Sequence, residues 1–91
     1  MKIYVVWCWE EFTNTESAVG YFRSFDKAKK RMLADAKHDN DVNNLQHAEA
    51  FFKYGEDEGL KSDMYVYERS VLIDDDEGWK TKYWIKEEEL Q

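Results

Sequence analysis

Cys8, His38 and His47 are the side chains best suited to nucleophilic or metal chemistry, as a Cys/His catalytic pair or a zinc site. Either would need two more ordered partners, and no spacing in the chain announces them. Asp39, Asp41 and Asn43 have the one-three-five spacing of a calcium loop, but Asn44 stands where the turn glycine belongs and Ala50 where the bidentate glutamate belongs. The run Asp74-Asp75-Asp76-Glu77 offers carboxylates for metal or acid/base work. Four adjacent acids on a loop tip lack the buried surroundings that separate their pKa values. No glycine-rich phosphate loop or activated serine accompanies them. The chain therefore reads as a non-enzyme, with no catalytic residue, cofactor or metal.

The acids form a different pattern. Glu10-Glu11, Glu56-Asp57-Glu58, Asp74 to Glu77 and Glu87-Glu88-Glu89 are runs that fall where strands or helices should turn, which concentrates charge at a few places. Net charge is −7, the sign opposite to that of proteins that hold phosphates. Direct nucleic-acid binding is therefore not expected, and a basic protein partner is. One cysteine excludes an internal disulfide framework, and no apolar run is long enough for export or membrane insertion, which together place the chain in the cytoplasm without a membrane partner. A chain of 91 residues that is 43% hydrophobic and 16% aromatic makes one domain, residues 1–91, with a packed core.

Alternation predicts a first strand from Ile3 to Trp9, with Ile3, Val5, Trp7 and Trp9 on one face and Tyr4, Val6 and Cys8 on the other. Apolar residues on both faces mark it as central. Glu10 to Thr15 is a polar break with Asn14, and Ser17 to Phe22 is a second strand in which Gly20 suggests a bulge or a close backbone approach. Ser24 is an N-cap for a helix from Phe25 to about His38, with Phe25, Ala28, Met32, Leu33 and Ala36 in one stripe. Asp39 to Asn44 reads as a loop, and Asn43 or Asn44 caps a second helix to about Tyr54 that stops at Gly55. Strands from Met64 to Ile73 and from Trp79 to Ile85 close the chain across a hairpin at Asp74 to Gly78. The expected fold is α+β in the order ββααββ, a four-stranded antiparallel sheet with the helices on one face. If the helices cover Ile3, Val5 and Trp7, the other face presents Tyr4, Val6, Tyr65, Tyr67 and Trp84.

Three segments carry a likeness. Lys2-Ile3-Tyr4-Val5-Val6, Phe22-Arg23-Ser24-Phe25-Asp26-Lys27-Ala28 and Tyr83-Trp84-Ile85-Lys86-Glu87-Glu88-Glu89-Leu90 together resemble a loose group of small phage and mobile-element proteins of bacteria. That group has a ββαβ core, and the likeness covers about half the chain. It implies a setting and a fold; it brings no catalytic residues.

Joined to the charge pattern, the likeness leads to a phage or mobile-element inhibitor of a host defence nuclease complex, of the anti-CRISPR or anti-restriction kind. Carboxylates at phosphate-like intervals would occupy a basic nucleic-acid-binding surface. The residues expected to bind the partner are Glu10, Glu11, Glu16, Asp39, Asp41, Asp74, Asp75, Asp76, Glu77 and Trp79. Two alternatives share the composition: an immunity protein or antitoxin against a basic nuclease toxin, and a homo-oligomeric accessory protein, such as a homodimer, that uses an aromatic sheet face.

Overall fold

The computed structural model describes residues 1–54, 63–74 and 79–90, the side chains at 43 and 45–54 excepted. The order is ββαβββ: β1 Lys2–Glu10, β2 Thr15–Phe22, α1 Phe25–Tyr54, β3 Asp63–Val66, β4 Ser70–Asp74 and β5 Lys80–Glu89. All five strands join one antiparallel sheet in the order β2-β1-β5-β4-β3. The four-stranded ββααββ arrangement is thus corrected to five strands and a single helix among the described residues.

Each correction has a local cause. Composition reads Asp39 to Asn44 as a loop, yet residues 25–54 contain neither proline nor glycine, so nothing stops the helix before Gly55. Asp39 is also tied to the sheet by the hydroxyl of Tyr83, and Lys37 faces Asp41 one turn on. Asn43 and Asn44 lie inside α1, so no second helix begins there. At the helix start, the amide of Lys27 donates to the Ser24 hydroxyl at 3.4 Å, and Asp26 lies in the first turn.

The single strand expected over Met64 to Ile73 is a hairpin. Its turn, Tyr67 to Arg69, contains no Gly, Pro, Asn or Asp, so turn chemistry does not reveal it. It is held by the Tyr67 amide on the Ser70 carbonyl at 2.8 Å, by the Ile85 amide on the Arg69 carbonyl at 2.9 Å, and by the Arg69 guanidinium over the Phe25 ring at 5.1 Å. The last strand runs on past Ile85, because Lys2, Ile3 and Tyr4 pair with Glu89, Glu88 and Glu87. The final acidic run is therefore a strand, with Lys2 bridging Glu87 at 3.0 Å.

The first hairpin follows the sequence closely. Asn14 takes a positive φ of 50°, its side chain accepts from the Trp9 indole at 3.2 Å, and its amide donates to the Glu11 carbonyl. Between Val6 and Trp7 the register slips, leaving Val19 as the extra residue of a bulge. Beside it, a Cβ on Gly20 would come within 2.8 Å of the Phe22 ring, so glycine is what lets that ring lie flat on the strand.

The helix covers the face opposite to the one supposed above. Val6 and Cys8 of β1 form the core with Ala28, Met32 and Ala36 of α1, Val71 and Ile73 of β4, and Tyr83 and Ile85 of β5; Tyr4, Phe22, Phe25 and Leu33 pack at its margin. Ala28 and Ala36 flank Met32 at intervals of four, so small residues bring the helix close to the sheet while one long side chain fills the gap. Trp7 and Trp84 lie on the other face, which no helix among the described residues covers. A 30-residue helix is about 45 Å long and a nine-residue strand about 30 Å, so α1 outruns the sheet it packs on.

Candidate functional site

Two surfaces remain once the core is assigned: one end of the sheet, and the sheet face that the helix leaves open. The end is formed where β1 turns into β2 and β4 passes to β5. Its two connections are tied together, since the Glu11 amide donates to the Lys80 carbonyl at 2.9 Å and the Glu11 carboxylate accepts from the Lys80 amide at 3.0 Å. Phe12 and Trp79 meet edge to face above this clamp, with ring centroids 5.0 Å apart. Phe12 is 72% and Trp79 42% exposed. A pair of large rings is thus held out to solvent by a structured turn.

Carboxylates share that end of the sheet. Glu10 ends β1, and Asp74 ends β4 directly opposite both Asp63 of β3 and Lys80 of β5. Like charges facing across a ladder are unfavourable, and Lys80 on the other side relieves the strain. Glu16 lies beside Trp9 at the start of β2. Asp75, Asp76 and Glu77, expected to bind the partner, lie outside the described residues. Phe12 and Asp63 belong to this end and escape the sequence reading; a lone large ring within a polar turn was the one available sign of Phe12.

Asp39 and Asp41 are not loop residues. Asp39 accepts a hydrogen bond from Tyr83, which also touches Cys8, so it joins helix to sheet. Asp41 is exposed and faces Lys37 at 3.9 Å. On a helix, residues 39 and 41 point to different sides and cannot share one ion as calcium-loop ligands would. No group of three or more metal-ligating side chains gathers among the described residues. His38 is exposed whereas Cys8 is buried in the core; the His47 side chain lies outside the described residues.

Burial pushes the Cys8 thiol up from its ordinary 9.0 to about 11, against an opposing hydrogen bond with Tyr83, with Glu10, Asp39 and Asp35 adding to the rise. Tyr83 is raised by burial and by its bond to Asp39. A thiol held protonated is a poor nucleophile. Between pH 9 and about 11 the unfolded Cys8 ionises while the folded one keeps its proton, so the unfolded state is favoured as pH rises. Stability should fall by about 2 kcal/mol across that window and be fully present below it. Urea melts from pH 8 to 11 would show it, and Cys8→Ala should remove the part of the loss that begins near pH 9 and leave what Tyr83 adds above its ordinary 10.0; an unchanged slope in that variant would assign the alkaline loss elsewhere.

On the open face, Trp7 and Trp84 stack at 6.4 Å with their rings 16° apart. Lys82 places its ammonium 5.8 Å from the Trp84 ring. The Trp7 indole N–H is buried without a hydrogen-bond partner, a group that costs about 1–3 kcal/mol to leave unpaired. Beside this stack lies an open trough of about 590 Å³, lined by Trp9, Glu16, Ser70, Lys82 and Trp84 among others. No helix among the described residues is long and apolar enough to cross a membrane. Comparison with protein-family models, curated proteins and solved structures finds no match.

Proposed function

We propose that this protein is a non-enzymatic binding protein whose acidic sheet end occupies the basic, nucleic-acid-binding surface of a protein partner. The observation that carries the reading is the exposed Phe12–Trp79 pair at the sheet end that also carries Glu10, Glu11, Asp63 and Asp74. Aromatic anchors with charged surroundings are the usual composition of an interface hot spot: the rings exclude water and set the lifetime, while the charges steer encounter and select a basic surface. The Glu11–Lys80 clamp holds the two connections together before binding, which reduces the entropy lost when the complex forms. Taken with the likeness to phage and mobile-element proteins, this reading is an inhibitor of a host defence nuclease complex, of the anti-CRISPR or anti-restriction type. A nuclease-neutralising immunity protein would use the same surface.

The test is capture from bacterial lysate on immobilised protein. The reading expects a basic nucleic-acid-binding protein that is released by raised salt and by added DNA or RNA, and that is retained poorly by Phe12→Ala. Equal retention of the same protein by Phe12→Ala, together with its failure to elute in raised salt or added nucleic acid, would remove the acidic end as the binding surface.

A further inference from the structure

The open sheet face differs in chemistry from the acidic end. Antiparallel pairing puts Trp7 beside Trp84 and Trp9 beside Lys82, with Glu16 on the outer flank of Trp9 and Ser70 on the outer flank of Trp84. Along β5, residues of alternating parity share a face, so Lys80, Lys82, Trp84 and Lys86 all project to this side. Two indoles, Lys82 and Arg69 therefore line one trough whose volume, about 590 Å³, falls within the range of small-ligand sites. The Lys82 ammonium, exposed and resting near the Trp84 ring, is a cation that can turn toward an anion without breaking the fold.

We infer that this trough binds a nucleotide. A nucleobase stacks on the indoles of Trp9 and Trp84, as bases do on aromatic platforms elsewhere. The phosphate is taken by Lys82, and the Glu16 carboxylate accepts from ribose hydroxyls or an exocyclic amine, with the Ser70 hydroxyl on the opposite flank. Charge sets the size of the ligand. A net charge of −7 repels a long phosphodiester chain, whose charge grows with every added residue, whereas a mononucleotide brings a single phosphate of about −2 and keeps the full stacking contribution.

Titration with adenosine 5′-monophosphate, followed through the indole N–H signals of the four tryptophans by NMR, tests the inference. Trp9 and Trp84 should shift along one saturable curve with a dissociation constant of about 1 mM or below, and Trp79, at the acidic end, should not. Unphosphorylated adenosine, and the monophosphate with Lys82→Ala, should each bind about tenfold more weakly. Lys82 is exposed, so that variant keeps the fold; Trp84→Ala should abolish the Trp9 shift. Absence of a saturable shift at about 10 mM would overturn the inference. So would equal binding of adenosine and its monophosphate, which would mark a plain apolar surface. Much tighter binding of an adenine octanucleotide would also overturn it, in favour of a single-stranded nucleic acid as the ligand.

Discussion

Met32→Ala is expected to lower the unfolding free energy by about 2–5 kcal/mol in a urea melt. Met32 is fully buried between Ala28 and Ala36 and meets the sheet where Val6, Cys8, Val71, Ile73, Tyr83 and Ile85 converge. Its alanine neighbours have no length to fill the space it leaves, so the cavity would remain open. For a domain of this size, with total stability of about 5–14 kcal/mol, that is a large share. Phe12→Ala, at an exposed turn, should change stability by no more than about 0.5 kcal/mol. Equal effects from the two substitutions would mean that α1 does not dock through its Ala28–Met32–Ala36 stripe.

Neutralising Glu10, Glu11, Asp74, Asp75, Asp76 and Glu77 to their amides should slow association with the captured partner by about 10–100-fold at low ionic strength. The change takes the net charge from −7 to −1, and the difference from the parent should vanish as salt shortens the Debye length. Amides keep an acceptor at position 11, so the bond to the Lys80 amide and the turn geometry survive. Trp79→Ala should act on the other rate and hasten dissociation, because a ring at the contact sets lifetime more than encounter. Stopped-flow or surface-based kinetics at several salt concentrations would separate the two. An unchanged association rate and salt dependence in the six-site variant would make the acidic connections solvated ends and direct attention to the tryptophan face.

Much of the local structure was legible because it depends on neighbours in sequence. The alternation of Ile3 to Trp9 marks an interior strand, and β1 indeed has partners on both sides. Asn14, Gly20 and Ser24 each signal a backbone event, and the structure shows a positive φ, a bulge with a close ring, and a helix cap at those places. The stripe of Ala28, Met32 and Ala36 is readable from helical period alone. The two-helix reading failed because it took polarity at Asp39 to Asn44 as a break. A polar helical segment persists when nothing in it forbids helix and an outside contact, here Tyr83 on Asp39, holds it.

Alternation, turn chemistry and helical period belong to the chain itself, and the sequence alone determined that this protein is α+β, that its first strand is interior, that one hairpin turns at Asn14 and that α1 begins at Ser24. Which face of β1 the helix covers was beyond its reach. Both faces are apolar, and the choice depends on Val71, Ile73, Tyr83 and Ile85 arriving from the far end of the chain to complete the core with Val6 and Cys8. The tertiary structure also split β3 from β4, through Arg69 packing on Phe25 and bonding Ile85, since no turn residue marks the site. It brought Phe12 and Trp79 to 5.0 Å and placed Lys82 between two indoles, because strand pairing makes neighbours of residues some seventy positions apart.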